Sequence, residues 1–276
     1  MKKKEKLVNK VKRLLRRLGC PRWLHHYGPK TYELYQHVCA LLIKTYSKLS
    51  YRRTKQLFDL LGMVCPSKSA LQYTVKKLGA VFWQRIIRIT STQSRILAID
   101  STGFSTTNPS YHYLRRIDGK IPRVFAKLSA SLDVKTKKFC DAYARIKPAH
   151  DVKDAKALLK NTNTALGDKS YNSEELYEHS FDNNILLMSP QKKGVHRGFY
   201  RKKQQKQYRE KTYNKRQLIE AGFSSIKRKY GYSVSSKKAT TIRAEIYSKL
   251  ACHNLIGRLN RLSGQSHTDG KVFKAC

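Results

Sequence analysis

The sequence predicts an α/β domain that is preceded by a helical N-terminal region. In the second half of the chain, short apolar segments alternate with helical segments, which is typical of a sheet with parallel strand pairs. Before about residue 92, apolar side chains recur at helical spacing instead. The length of 276 residues accommodates one large domain and one small domain. We therefore divide the chain into a helical domain at 1–92, an α/β domain at 93–262 and a tail at 263–276.

The N-terminal segment predicts a basic amphipathic helix. Its apolar side consists of Leu7, Val11, Leu14, Leu15 and Leu18. Charged residues occur throughout the segment, so it lacks the apolar core of a signal peptide. Such a helix can pack on its own domain, contact the phosphates of DNA or lie on a membrane surface. We favour the first two interpretations.

Residues 50–79 predict two helices that are joined by a tight turn at Gly62. Ser67 follows a proline and is a suitable N-cap for the second helix. The outer face of that helix presents Lys68, Gln72, Tyr73 and Lys76. This arrangement resembles a helix-turn-helix unit, in which the second helix enters the major groove of DNA. We expect these four side chains to contact DNA; an ordinary helical hairpin is the alternative.

The elements of the α/β domain follow from the periodicity of its apolar residues. Apolar or alternating segments predict strands at 94–100, 123–134, 137–146, 164–168 and 185–190. Helical spacing predicts helices at 153–162, 173–184 and 241–262. The stretch at 191–211 is basic and polar. We expect a loop there, which could contact a nucleic acid strand through its interleaved Tyr and Phe side chains; a disordered segment is the alternative.

The charge of the chain points to a polyanionic partner. It contains 58 Lys and Arg residues against 18 Asp and Glu residues, which gives a net charge of +40. The basic residues run from Lys2 to Lys274 rather than forming a detachable tail. A field of this sign attracts nucleic acid. An RNA-binding protein of ribosomal type and a membrane-surface protein are the alternatives.

Cysteine usage and hydropathy indicate the compartment. The six cysteines are scattered without a C-x-x-C pair, and the histidines are not clustered. This pattern argues against a zinc site and favours free thiols in a reducing compartment. No apolar run approaches the roughly 20 residues of a membrane span. We expect a cytoplasmic protein that is associated with the nucleoid.

A four-residue motif is the most informative feature of the chain. Tyr213, Arg216, Glu220 and Lys227 are separated by steps of three, four and seven residues. On a helix that turns about 100° per residue, these steps place all four side chains on one face. The carboxylate of such a face can bind a metal ion, and its phenol and two cations can bind a phosphate backbone. An exposed helix with mixed charges is the alternative.

Two further carboxylates follow apolar strands. Asp100 ends one predicted strand and Asp168 ends another, and the carboxyl ends of parallel strands meet at one crevice. With Glu220 on the motif helix, three carboxylates would form a hard site suited to Mg²⁺ or Mn²⁺. Asp133 also follows an apolar strand and is the rival for the second position, but it leads into a turn. Each aspartate alone could merely cap a turn or a helix.

These residues together resemble a DDE transposase of bacterial and archaeal insertion sequences. The motif at 213–227 matches the Y-x(2)-R-x(3)-E-x(6)-K pattern of one large group at every spacing. The segment LAIDST at 97–102 resembles the block around the first catalytic aspartate, and GDKSYNS at 167–173 resembles the second block. Ser170 stands where glycine is common in the family. The similarity covers roughly residues 95–257.

The resemblance implies an RNase H-like fold, two divalent metal ions, and DNA cleavage followed by strand transfer. The residues that it implies as metal ligands and catalytic groups are Asp100, Asp168 and Glu220. It also implies phosphate binding by Lys227 and Arg216, and a role for Tyr213 in positioning the flanking strand or Glu220. His150 and Asp151 are weaker candidates, because Asp151 could simply cap the following helix.

The implied partners are the terminal inverted repeats of the element and the target DNA. Assembly on two DNA ends would favour a homodimer. Two other functions stay open on the sequence alone. One is a non-catalytic nucleic-acid-binding protein that derives from a transposase, and the other is an RNase H-like nuclease or resolvase that cuts without joining.

Overall fold

A computed structural model describes residues 7–25, 27, 30–91, 95–106, 125–146, 150, 152–195 and 197–260. The helices of the first half are α1 (Leu7–Arg17), α2 (Leu34–Tyr46), α3 (Tyr51–Leu60) and α4 (Lys68–Thr90). The strands are β1 (Ile96–Ser105), β2 (Phe125–Asp133), β3 (Phe139–Arg145), β4 (Thr164–Leu166) and β5 (Leu186–Met188). The remaining helices are α5 (Val152–Leu158), α6 (Glu174–Asp182), α7 (Phe199–Gln205), α8 (Glu210–Tyr213), α9 (Gln217–Tyr230) and α10 (Ala239–Asn260).

Local hydrogen bonds explain where the N-terminal helices begin and end. The Ser67 hydroxyl accepts a bond from the amide of Ala70 at 3.2 Å, which confirms this serine as the N-cap of α4. Gly62 has a φ of 62°, a left-handed conformation that glycine adopts without strain at the predicted turn. Gly79 has a φ of 64° and interrupts α4. The predicted pair of helices is therefore confirmed.

The five strands form one mixed sheet in the order β3-β2-β1-β4-β5. The first three strands are antiparallel neighbours, whereas β4 and β5 run parallel to β1. Helices cover both faces, as the periodicity predicts. This is the RNase H-like arrangement that the resemblance implies, and the predicted fold class is confirmed.

Two apolar cores lie on opposite faces of the sheet, since the consecutive residues Ala98 and Ile99 of β1 belong to different cores. The larger core joins α1–α4, α9 and α10 to one face, through side chains such as Val11, Trp83, Leu128, Ile219 and Leu250. The smaller core lies beneath α5 and α6 and includes Ile99, Tyr171 and Tyr177. The larger core crosses residue 92, so the division into domains at that position stays a prediction.

The predicted amphipathic helix at the N-terminus packs on its own protein. Val11, Leu14 and Leu15 are buried, and Leu7 and Leu18 are partly buried against the larger core. Across the described ranges, no helix is long and apolar enough to cross a membrane.

Three expectations about the catalytic region are wrong in detail. Strand β1 does not end at Asp100 but continues to Ser105, because all of its residues from Leu97 onward pair with β2. The segment 191–211 is not simply a loop, since it contains α7. The motif at 213–227 does not form one uninterrupted helix. Tyr213 ends α8, Arg216 ends a short 3₁₀ turn, and Glu220 and Lys227 belong to α9.

Polar side chains hold α7 against the sheet. The Gln204 side chain accepts a bond from the Leu187 amide at 2.7 Å and donates to the Tyr177 carbonyl at 3.2 Å. Both Gln204 and Arg201 are buried. These groups replace the apolar stripe by which a packed helix is normally found in a sequence.

Candidate active site

The register of the sheet brings Asp100 and Asp168 to the same edge. Strands β1 and β4 are parallel, and their last paired residues are Ala98 and Leu166. Each aspartate lies two residues beyond its member of that pair, so the two continue the register side by side. Ala98 faces the core that contains α9, and the alternation of side chains places Asp100 on that same face.

Asp100 is held in an environment that opposes its ionisation. Burial raises the pKa of its carboxyl group to about 6. The nearby carboxylates of Asp168 and Glu220 act in the same direction, whereas the Ser101 amide and the Arg216 guanidinium lower the pKa. The Ser101 amide donates to Asp100 Oδ1 at 2.8 Å. The three predicted carboxylates therefore lie close enough to influence one another electrostatically.

Asp168 is fixed by its own turn. Its Oδ1 accepts bonds from the amide and the hydroxyl of Ser170, at 2.9 and 2.5 Å. Its carbonyl oxygen accepts a bond from the Ser189 hydroxyl at 2.6 Å. A Cβ at Gly167 would lie 3.0 Å from the side chain of Tyr171, so the close approach of that ring requires glycine immediately before the aspartate.

Glu220 reaches the site from the first turn of α9. Its Oε1 lies 2.5 Å from Arg216 Nη2, and Arg216 Nη1 lies 3.6 Å from Asp100 Oδ2. The guanidinium group thus stands between the two carboxylates. Glu220 is half exposed, whereas Asp100 and Arg216 retain 18% of their side-chain exposure. Arg216, which is predicted to bind a DNA phosphate, therefore contacts two carboxylates of its own chain in this structure.

The donor set fits a divalent cation, although the side chains are not arranged around one position. Within the ranges that the structure describes, no three His, Cys, Asp or Glu side chains are grouped closely enough to hold an ion. Three carboxylates without nitrogen or sulfur ligands nevertheless suit Mg²⁺ or Mn²⁺. The position of the guanidinium shows that this edge of the sheet favours a positive charge.

Comparison with known proteins identifies the family. A family model described as a transposase DDE domain matches residues 91–255, which is more than half of the chain. The chain belongs to the DDE transposase family. The match spans Asp100, Asp168 and Glu220, and members of this family generally use divalent metals. A search of curated proteins gave no match.

Two solved structures are similar to the transposase. One is a cryo-EM structure of the piggyBac transposase synaptic complex with hairpin DNA. It has 13% sequence identity and a TM-score of 0.50, and the alignment covers 94% of this chain and 73% of that chain. The other is the Mos1 strand transfer complex, with 13% identity and a TM-score of 0.31 over 99% of this chain and 90% of that chain. The first similarity supports the fold.

Tyr213 borders the acidic site of the transposase. Burial raises the pKa of its hydroxyl group, Arg216 lowers it, and the carboxylates of Asp168 and Glu220 raise it further. Its ring lies 5.4 Å from the ring of Tyr208, measured between centroids. The two rings form an aromatic pair next to the carboxylates. The sequence pattern predicts the position of Tyr213, and Tyr208 is one of the interleaved aromatic residues of 191–211 for which a nucleic acid contact is expected.

Lys227 lies further along α9, beside a second lysine that the sequence does not single out. The Nζ atoms of Lys227 and Lys249 lie 5.7 and 5.1 Å from the centroid of the Phe104 ring. Burial lowers the pKa of Lys227, and it lowers the pKa of Lys249 to about 8. Lys249 donates to the carbonyl oxygens of Gly231 and Ser233 at 3.1 and 2.7 Å. It therefore fixes the segment that follows α9.

Asp133, the rival for the second acidic position, lies outside this site. Asp133 pairs across the sheet with Leu97, three residues before Asp100, and its carboxylate accepts bonds from the amides of Lys135 and Thr136. It stabilises the β2–β3 turn, which agrees with the preference for Asp168. His150 is exposed. Asp151 lies outside the described residues.

The predicted DNA-reading face of α4 is exposed. Its four predicted contact residues are Lys68, Gln72, Tyr73 and Lys76. The Tyr73 ring stacks on His25 with 5.5 Å between the centroids, and Lys77 lies 5.9 Å from the same ring. The face is accessible to a large partner. Its role in DNA binding stays a prediction.

Proposed function

We propose that this transposase cleaves DNA at the ends of its element and joins those ends to target DNA, with Asp100, Asp168 and Glu220 as its catalytic carboxylates. One observation carries the proposal. The register of β1 and β4 supports Asp100 and Asp168 as neighbours at the sheet edge, and α9 brings Glu220 to the same edge. The family match covers all three positions.

The three carboxylates would hold two Mg²⁺ or Mn²⁺ ions. Such a pair would supply activation of the attacking hydroxyl and stabilisation of the leaving oxygen of a phosphodiester. The protein supplies the ligands and their orientation. The amide and hydroxyl of Ser170 hold Oδ1 of Asp168, and the Ser101 amide holds Oδ1 of Asp100. Glu220 is the adjustable ligand, because it is half exposed.

The DNA would be held by side chains around the carboxylates. We assign Lys227 and Arg216 to phosphates at the element end, since Arg216 contacts the acidic site and Lys227 lies on the same helix as Glu220. Tyr213 would position the flanking strand, because its ring borders the carboxylates. Water would act as the nucleophile for cleavage, and the DNA 3′-hydroxyl that cleavage releases would then attack the target strand.

Duplex DNA is the proposed partner, as terminal inverted repeats and as target. The net charge of +40 favours a polyanion, and the exposed face of α4 suits a major groove. The similar piggyBac structure is a synaptic complex with hairpin DNA. Assembly on two DNA ends would make the active form a homodimer.

Replacement of Asp168 tests the catalytic assignment. Asp168→Asn should abolish Mg²⁺-dependent nicking and joining of a plasmid that carries the element ends, while duplex binding in a gel-shift assay is retained. Asp182→Asn is the matched control, because Asp182 is an exposed aspartate at the end of α6. Wild-type nicking by the Asp168→Asn variant would refute the assignment.

The pairing of Glu220 with Arg216 gives one reason to test a second function, a DNA-binding protein without catalysis. Such a protein would not need the carboxylates to hold a metal. Calorimetry compares Mn²⁺ binding by the wild type and by Glu220→Gln. If the wild type does not bind Mn²⁺, or if Glu220→Gln binds it equally well, this second function is supported. A nuclease that cuts without joining is distinguished by product analysis, since only a transposase inserts the donor ends into a supercoiled target.

A further inference from the structure

A guanidinium group lies between two of the proposed metal ligands. Arg216 contacts Glu220 at 2.5 Å through Nη2, and its Nη1 lies 3.6 Å from Asp100 Oδ2. The contact with Glu220 is local, because the two residues are four positions apart on consecutive helical turns. The contact with Asp100 joins the start of α9 to the sheet.

A divalent cation and the guanidinium would compete for the same carboxylates. Carboxylates that lie close together repel each other unless a cation stands between them. The planar fork of arginine satisfies this requirement within the chain, since it can bind two oxygen atoms at once. A metal ion that used Glu220 as a ligand would have to share this carboxylate with the guanidinium, and the two positive charges would repel each other.

We propose that Arg216 is a positioning residue that holds Glu220 beside Asp100 as an internal counter-ion, and that DNA releases Glu220 to the metal by offering a phosphate to the guanidinium. The inference rests on the proposed function. Arginine binds phosphate with the same fork geometry that it uses for carboxylate. Lys227 lies on the same helix as Glu220 and would attract the same strand.

The consequence is a coupling between DNA binding and metal binding. If a phosphate removes Arg216 from Glu220, the affinity for the cation rises, and the cation must raise the affinity for DNA by the same factor. Metal would then bind tightly only where a DNA substrate is in place. A side chain that merely anchored the DNA would show no such effect on metal affinity in the absence of DNA.

Mn²⁺ titration calorimetry without DNA tests the competition. Arg216→Gln should bind Mn²⁺ about tenfold more tightly than Lys215→Gln, which corresponds to about 1.4 kcal/mol. Lys215→Gln is the matched control, because it removes the same charge from an exposed neighbouring position. Arg216→Lys keeps the charge but loses the fork, and it should give an intermediate affinity.

A saturating random-sequence duplex provides the second arm. It should tighten Mn²⁺ binding to the wild type by about the same factor and leave Arg216→Gln unchanged. Mn²⁺ affinities that are equal in Arg216→Gln and Lys215→Gln would overturn the inference. Circular dichroism checks that each variant is folded.

Asp100→Asn separates a failure of this inference from a failure of the proposed function. If Asp100→Asn abolishes Mn²⁺ binding while Arg216→Gln behaves like Lys215→Gln, only the counter-ion role of Arg216 is wrong. If Mn²⁺ binding is unaffected by Asp100→Asn, the proposed metal site itself is wrong, and both ideas fail.

Discussion

Replacement of Asp100 by asparagine should stabilise the metal-free transposase. Burial raises the pKa of Asp100 from 3.8 to about 6, and the carboxylates of Asp168 and Glu220 contribute to the rise. A difference of this size between the folded and unfolded states corresponds to at most about 3 kcal/mol at neutral pH. Because the site borders solvent, screening reduces this value, and we expect a gain of about 1–2 kcal/mol for Asp100→Asn.

The gain depends on pH, because the folded protein binds the proton more tightly than the unfolded chain. In the wild type, the free energy of unfolding is highest below the unfolded pKa of 3.8, where Asp100 is protonated in both states. This contribution of the protonated carboxyl group is lost as the pH rises through about 6. Asparagine does not titrate. The advantage of Asp100→Asn should therefore increase by about 1 kcal/mol between pH 5 and pH 8.

Thermal unfolding in EDTA at these two pH values measures the effect. Asp100→Asn should raise the Tm at pH 8 by about 3–6 °C and by less at pH 5. Asp182→Asn serves as the control for removal of an exposed aspartate. A lower Tm for Asp100→Asn at pH 8, or a gain that is the same at both pH values, would refute the reasoning.

Two other predictions follow from individual hydrogen-bonding side chains, and a third follows from the exposed face of α4. Ser170→Gly removes the hydroxyl that donates to Asp168, so Mn²⁺ affinity measured by calorimetry should fall about fivefold, the equivalent of one hydrogen bond; Ser170→Thr should retain the affinity, and equal losses in both variants would contradict this role. Lys249→Met leaves the carbonyl groups of Gly231 and Ser233 without their donor and should lower the free energy of unfolding by about 1–3 kcal/mol, as measured with urea. An unchanged urea midpoint would contradict it. Combined replacement of Lys68 and Lys76 by alanine should reduce the salt dependence of duplex binding by about two phosphate contacts in fluorescence anisotropy, and an unchanged slope would exclude α4 from the interface.

The strands and most of the helices could be predicted because their apolar residues follow a regular period. The alternation along β2 and β3 and the apolar segments at β4 and β5 indicate one sheet. The continuation of β1 beyond Asp100 could not be predicted in this way. Its residues Ser101, Thr102 and Gly103 are polar or small, and pairing with β2 rather than burial holds them in the strand.

Helix α7 and the position of Arg216 show a second limit. Gln204 is buried by hydrogen bonds to distant parts of the chain, and such a residue looks like a surface residue in a sequence. The motif spacing predicts that Arg216 and Glu220 share a face. It does not reveal whether the guanidinium contacts a phosphate or a carboxylate, because that depends on the distance to Asp100 across the fold.

The central claim is that Asp100, Asp168 and Glu220 together bind divalent cations beneath a DNA strand. Anomalous scattering from a crystal of the transposase with Mn²⁺ and a bound duplex tests it most directly. The account predicts Mn²⁺ peaks within coordination distance of carboxylate oxygens from all three residues. Mn²⁺ that is bound elsewhere, or with none of these three carboxylates as a ligand, would contradict it.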